Sequence, residues 1–250
     1  MSNIHEIEGW IDRVQEEIID PEREIIDPHH HLWHGPEDPP GIKDTYRYLL
    51  EDLWQDTSSG HNIKKTVYID CGQEYYQEGP DAFKPIGETE FVVGIAKEAK
   101  KDLSKAQIEG IIGHEDMMLG DSAKEVLEVH IEKGEGLFRG IRHSGGWDAD
   151  ERVKNAHSEP TESIYLEDAF QRGLEQLVKL DLVLACDTSI LHLSSSLGVK
   201  TYGLFPFVAD WRWAKSQTKT NWYESLEIFK LNETQSWEDL SNEIVKKIYI

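Results

Sequence analysis

The sequence predicts an α/β fold built on parallel strands. Seven short segments rich in Ile, Val, Leu and Phe have the length of strands, and stretches with apolar residues at helical spacing follow most of them. Loops rich in Pro, Gly and acids separate several of these segments. This alternation is typical of a parallel sheet whose strands are joined by right-handed crossovers.

The seven predicted strands are bounded by turn residues. They cover residues 24–28, 65–71, 108–112, 138–141, 181–186, 201–205 and 226–229. We interpret the first as an interior strand, because Ile25 and Ile26 form an apolar pair between Pro21 and Pro28. The last three strands should extend the sheet formed by the first four, since a naked edge would expose a long apolar border.

The predicted helices have apolar residues on one face. They cover residues 4–18, 44–56, 91–99, 123–131, 168–179 and 237–248. A further helix should begin at Thr188 and Ser189, which can cap it, and should stop at Gly198. The turn-rich segment 75–91 is predicted to be irregular, either as a substrate loop or as a long connection.

Composition and charge exclude several classes of function. The formal net charge of −22 argues against nucleic-acid and anionic-membrane partners, which bind basic surfaces. No apolar run approaches the roughly 20 residues of a membrane span, and the opening MSNIHEIEGW lacks the pattern of a secretory signal. Cys71 and Cys186 are far apart and offer no disulfide framework, so a reducing cytoplasm is the expected location.

The uneven distribution of charge predicts two segments. Residues 1–178 carry 18 Lys and Arg against 39 Asp and Glu, whereas residues 179–250 carry 8 against 9. Ten of the 11 histidines also precede residue 179. Such a shift is what a junction between unrelated segments would produce, so we place a domain boundary after residue 178.

The segment EIIDPHHHLW, residues 24–33, predicts a site at the carboxyl end of the first strand. His29 and His31 are two residues apart, so in an extended chain both imidazoles point the same way, while His30 points away. Zinc and similar metals accept neutral imidazole, although two nitrogens make only half of a four-coordinate shell. The alternative is a polar strand end whose histidines only form hydrogen bonds.

Further polar and aromatic residues follow the third and fourth strands. His114 and His143 would share the rim of the sheet with the first two histidines. Alternation places either Arg139 or Arg142 toward that rim, where a guanidinium can bind a substrate carboxylate. Trp147 would serve as an apolar wall of the substrate site. The alternatives are arginines paired with some of the many acids, and a tryptophan that belongs to the core.

The segment Asp27-Pro-His-His-His31, with Leu32 and Trp33, resembles the first-strand His-x-His motif of the amidohydrolase superfamily. The likeness is to the metal-dependent TIM-barrel hydrolases and lactonases called amidohydrolase-related, and it covers about residues 20–178. Four later blocks fit that branch in order: Ser59-Gly-His-Asn62, Gly87-Glu-Thr-Glu-Phe91, Gly110-Ile-Ile-Gly-His-Glu-Asp116 and Phe138-Arg-Gly-Ile-Arg-His-Ser144.

This resemblance implies a partial (β/α) TIM-barrel-like domain over residues 1–178 that hydrolyses a small C–N or lactone bond. A divalent metal ion, with zinc the expected one, would lower the pKa of a bound water toward about 7. In that family the fifth and sixth strands each bring a further His and the eighth brings an Asp. No position here matches any of these three, so an inactive remnant is an alternative.

The tail has a different likeness. Residues 180–193, LDLVLACDTSILHL, with Leu197 and Gly198, resemble the nucleotide-binding half of GT-B glycosyltransferases of the heptosyltransferase type. Residues 205–213, FPFVADWRW, look like the end of such domains where they follow tetratricopeptide repeats. The likeness implies a Rossmann-like βαβ tail over residues 179–250.

The tail residues that match this block lie at a predicted helix start. They are Asp187, Thr188, Ser189 and His192. Free amide groups and the helix dipole can hold phosphate at such a start. The alternative is an ordinary capped crossover helix with no ligand.

Three function hypotheses follow. The first is a hydrolase with a small-molecule substrate, and the second is a glycosyltransferase-like fragment that binds a sugar nucleotide. The third is a non-catalytic fusion of two truncated domains. The sequence leaves a homo-oligomer open.

Overall fold

The computed structural model describes residues 17–34, 47–150, 152–153, 160–180, 183–186, 195–196, 198, 200–207, 209, 213, 218, 220 and 222–248. Strands and helices alternate along this part of the chain as far as residue 186, and the strands are parallel, which confirms the α/β class. The chain divides into two compact units, residues 1–114 with 129–142 and residues 115–128 with 143–250. Most of the predicted helix 4–18 lies outside the described residues, as do Thr188 and Ser189 of the predicted tail helix.

The first four strands form one parallel sheet. They are β1 (Glu24–His30), β2 (Asn62–Ile69), β3 (Gln107–His114) and β4 (Phe138–Arg142). Their order in the sheet is the order along the chain, and each neighbouring pair is parallel. The carboxyl ends of all four strands therefore meet at one edge of the sheet.

The prediction that the first strand is an interior strand is wrong. β1 lies at the border of the sheet with β2 as its partner, and the side chain of Ile26 is 60% exposed. Pro28 suits this position because proline has no N–H to donate to a second neighbour. The pairing with β2 also shifts register between Asp27 and His30.

The helices around the first sheet are α1 (Leu50–Thr57), α2 (Ile86–Ala99) and α3 (Ala123–Lys133). α2 begins at Ile86 rather than at the predicted Phe91, and Glu88 and Thr89 are buried near its start. The apolar core of this region draws on the sheet, α1 and α2: Leu32, Leu49, Leu53, Tyr68, Val92, Val93, Ala96, Ile108 and Ile111.

The last three strands form a sheet of their own. They are β5 (Val183–Cys186), β6 (Thr201–Phe205) and β7 (Leu226–Lys230), in that order and parallel. Among the described residues no strand of this sheet pairs with the first four, so the prediction of one continuous sheet is wrong. Seven strands were nevertheless predicted, and the described residues contain a strand at each of these seven places.

Two apolar clusters explain why the second sheet has its own core. One contains Phe205, Trp213, Leu226 and Ile228. The other contains Tyr202, Phe229, Leu240 and Ile244. Alternate residues of β6 and β7 enter different clusters, so both faces of this sheet are covered by apolar side chains.

Two longer helices complete the second unit. α4 (Asp168–Leu180) packs against a short 3-10 helix, Met117–Ser122, and α5 (Trp237–Ile248) contacts β7. Gly173 allows the close approach of α4, because a Cβ atom there would lie 2.2 Å from the Met117 carbonyl oxygen. No helix in the described part of the chain is long and apolar enough to cross a membrane.

Candidate functional site

The carboxyl edge of the first sheet gathers most of the residues that the sequence suggested. His29 is the penultimate residue of β1 and His31 follows that strand, while His114 ends β3 and Arg142 ends β4. His114 and Arg142 are direct partners in the β3–β4 register. The fold thus places these four residues on three strands that open to the same edge.

The imidazoles of His29 and His31 converge. Their Nε2 atoms are 3.1 Å apart, and His31 Nδ1 lies 2.7 Å from the carbonyl oxygen of Ile69. Because a carbonyl only accepts hydrogen bonds, Nδ1 carries the proton and Nε2 of His31 keeps its lone pair. At 3.1 Å the two Nε2 atoms are within hydrogen-bond distance of each other. Two imidazole nitrogens on one tetrahedral zinc ion stand about 3.3 Å apart, so the separation fits either a hydrogen bond between the rings or a shared ion.

The three consecutive histidines differ in their burial. His30 points away from the pair, as expected, and is buried with its ring edge-on to Tyr68. Burial lowers the pKa of His30 to about 4. Burial also lowers the pKa of His31, which keeps its imidazole neutral, as a metal ligand must be.

The His29–His31 pair supplies two ligand positions. In the described part of the chain no group of three or more His, Cys, Asp or Glu side chains is placed to hold a metal ion. The residues present therefore fit half of a four-coordinate shell, and the hydrogen bond from His31 to Ile69 is the outer-shell contact that such ligands usually have.

A buried carboxylate, Asp70, lies directly after β2 at the same edge. Tyr75 donates to its Oδ1 at 2.7 Å, and Arg142 Nε donates to its Oδ2 at 3.3 Å. Burial raises the pKa of Asp70, but hydrogen bonds with Glu88 and Tyr75 and the charges of His114 and Arg142 outweigh it and hold that pKa below its usual range. Asp70 is therefore an anion inside the protein.

Glu88 is a second buried carboxyl beside Asp70, brought there by the first turn of α2. Its Oε1 accepts hydrogen bonds from Tyr68 Oη at 2.6 Å, from the Cys71 amide at 3.0 Å and from the Gln73 amide at 2.9 Å. Burial and the neighbouring Asp70 raise the pKa of Glu88 to about 9. At neutral pH this side chain keeps its proton.

Sequence reasoning missed Asp70, Tyr75 and Glu88. Asp70 falls inside the predicted strand 65–71, whereas the observed β2 ends at Ile69. An acid near the carboxyl end of a predicted parallel strand is nevertheless a signal, because such ends meet at one edge of the sheet. Tyr75 and Glu88 lie in the segment predicted to be irregular, where no periodicity points to a role.

The two arginines of β4 differ in exposure, as the alternation of side chains along a strand predicts. Arg142 is part-buried on Asp70, whereas Arg139 is exposed and donates to the carbonyl oxygens of Gly136 and Phe138. Arg142 is therefore the arginine that lies beside the carboxylate cluster, the buried pair Asp70 and Glu88.

His143 and Trp147 belong to the second unit. The His143 ring packs edge-on to Phe170 at 5.2 Å, and its Nδ1 lies 3.2 Å from the Glu115 carbonyl oxygen. Trp147 is 46% exposed. Their assignment to a substrate site stays a prediction.

The tail residues predicted to bind phosphate, Asp187, Thr188, Ser189 and His192, lie outside the described residues. A groove of about 600 Å³ is lined by Ser195, Ser196, Gly198, Trp222, Tyr223, Glu224 and Ser225. Its lining residues precede β6 and β7. The groove is thus at the amino edge of the second sheet, opposite the edge where residues after β5 would bind a ligand.

Comparison with known proteins does not place the chain in a family. No family model, curated protein or solved structure matches it. The resemblances to amidohydrolases and to GT-B glycosyltransferases therefore rest on the sequence blocks quoted above.

Proposed function

We propose that this chain is a metal-dependent hydrolase related to the amidohydrolases, acting on a small C–N or lactone bond. The observation that carries the proposal is the convergence of His29 and His31, whose Nε2 atoms are 3.1 Å apart. The Ile69 carbonyl orients the His31 ring and leaves Nε2 unprotonated. The four strands described above would be the first part of a barrel.

The chemistry divides between the histidine pair and the carboxylate cluster. A divalent ion such as zinc, bound by His29 and His31, would activate water and polarise the substrate carbonyl. Arg142, oriented by Asp70, would bind a carboxylate of the substrate through its guanidinium. His114, its partner on β3, lies beside that cation and can donate a hydrogen bond to the same anion.

Metal content per chain tests the proposal. The purified full-length protein, titrated with zinc, should bind about one ion weakly, because the two imidazoles supply only half of a four-coordinate shell and solvent must complete it. The double change His29→Ala with His31→Ala should abolish binding, whereas His61→Ala, which removes an exposed histidine before β2, should leave it intact. Stoichiometric zinc in the double variant would show that the site is misplaced.

Activity is the second measurement. The zinc-loaded protein should hydrolyse lactones or amides that carry a carboxylate, and the double variant should not. A wild-type protein that binds no zinc in the titration would refute the hydrolase and leave the sugar-nucleotide fragment and the non-catalytic fusion. A protein that binds zinc but hydrolyses nothing would be the inactive remnant, for which the missing ligands of the later strands give the reason.

A further inference from the structure

The buried pair Asp70–Glu88 carries an inference of its own. Both residues are almost fully buried, with Asp70 at 0% and Glu88 at 2% exposure, and Glu88 Oε1 accepts a hydrogen bond from the amide of Cys71, the residue directly after Asp70. Two neighbouring buried carboxylates cannot both ionise without a large penalty. One of the two must therefore be an acid.

The contacts decide which oxygen holds the proton. Glu88 Oε1 accepts three hydrogen bonds, whereas its Oε2 receives none from the described residues. Asp70 by contrast has Tyr75 on one oxygen and the cation of Arg142 on the other. The charge therefore resides on Asp70, and the proton resides on Oε2 of Glu88.

We propose that Glu88 is a positioning residue that donates its Oε2 proton to Asp70 and so fixes the carboxylate that orients Arg142. The proton position follows from the contacts of the pair. The role of Arg142 toward a substrate carboxylate rests on the proposed function.

The titratable groups that face the pair agree with this assignment. Tyr68 and Cys71 lie on the Glu88 side, and burial raises the pKa of both, that of Cys71 to about 12, so both stay neutral. Burial likewise raises the pKa of Tyr75, which remains a donor to Asp70. His114 and Arg142 are the positively charged or chargeable groups, and both favour the ionised form of Asp70.

The first test measures the proton directly. NMR of the full-length protein with 13C-labelled Asp and Glu side chains, titrated from about pH 4 to about pH 10, follows each carboxyl carbon. Glu88 should stay protonated through neutral pH and titrate near pH 9, and Glu88→Gln identifies its signal. A Glu88 carboxyl that is already ionised at neutral pH would overturn the inference.

The second test separates positioning from simple filling of space. Glu88→Gln keeps an acceptor for the three donors and offers an N–H to Asp70, so the Nε–H resonance of Arg142 should not move. Glu88→Leu offers neither and should shift that resonance toward the value of an exposed arginine. Glu90→Gln, on the same helix but paired with Lys133 at the surface, is the control and should change nothing.

Equal shifts of Arg142 in the Gln and Leu variants, or no shift in either, would refute the positioning role. If the Leu variant does not fold, the carboxyl titration still decides. Neither test uses metal or substrate, so failure of the hydrolase proposal and failure of this inference are separate results.

The pH profile of stability is the third readout. A carboxyl whose folded pKa is raised stabilises the fold fully below its unfolded pKa, and that contribution is lost as the pH rises through the folded pKa. Relative to Glu88→Gln, the wild type should therefore lose about tenfold in its folding constant per pH unit between about pH 5 and about pH 9. Parallel profiles would contradict a proton on Glu88.

Discussion

The two sheets of this protein are both parallel, yet they bury different kinds of side chain. The first buries Asp70 and Glu88 at its carboxyl edge and half-buries Arg142, whereas apolar clusters cover both faces of the second. Buried charges reduce stability unless they are paired and hydrogen-bonded. The comparison teaches that the first sheet places buried charged groups at its carboxyl edge, while the described part of the second sheet is packed by apolar side chains.

Among the changes that test this comparison, Asp70→Ala should reduce the unfolding free energy most. It removes the carboxylate that accepts from Arg142 and Tyr75 and leaves these groups in the interior, which should cost about 3–5 kcal/mol of unfolding free energy. Urea denaturation measures the change. Asp81→Ala, an exposed carboxylate of the first unit, should leave the denaturation midpoint in place.

Phe205→Ala should be nearly as damaging in the second sheet, for a different reason. Phe205 is fully buried against Trp213, and deletion of such a ring costs about 3–5 kcal/mol through lost contacts and a cavity. The effect should not depend on pH between about 5 and 9, because no charge is removed. If the loss of unfolding free energy caused by Phe205→Ala depended strongly on pH, it would contradict the distinction between a polar first sheet and an apolar second sheet.

Acid should weaken the first unit through its buried histidines. Burial lowers the pKa of His30 and His130 to about 4, so the unfolded chain binds more protons than the folded one between that value and the ordinary pKa. Stability should therefore fall as the pH drops from about 6.5 to about 4, by about 2–3 kcal/mol for each histidine. His130→Gln should flatten this part of the profile, measured by denaturation at several pH values.

The smallest effect is expected at the surface of the first unit. Lys97 and Glu135 form an exposed ion pair at 2.6 Å, and such pairs contribute about 0–1 kcal/mol. Lys97→Ala should therefore change the unfolding free energy by less than about 0.5 kcal/mol. A loss as large as that of Asp70→Ala would mean that burial is not what distinguishes the carboxyl edge.

The sequence predicts the elements of this fold better than their arrangement. Apolar runs located each of the seven strands in the described part of the chain, because short strands bounded by turns leave a local pattern. The exposure of Ile26 and the separate sheet of β5, β6 and β7 depend on which strands become neighbours, and periodicity carries no information about that.

The candidate site divides in the same way. His29 and His31 could be predicted as a pair because their spacing is local. The contact between Asp70 and Glu88 joins the end of β2 to the start of α2, and it exists only when the segment between them folds back. The protonation states of Asp70 and Glu88 then depend on burial, which is a property of the tertiary structure and cannot be read from a sequence pattern.

The edge position of β1 has a kinetic consequence. Within the described residues β1 has β2 as its one hydrogen-bonded neighbour, and such a strand with a proline in its ladder opens locally at a lower free energy than the whole protein unfolds. His29 and His31 both depend on β1, so a single fraying event would release both imidazoles together. If His29 and His31 bind the proposed ion, its exchange with the solvent would follow the opening rate of this strand, and hydrogen exchange of the β1 amides should slow when zinc is added.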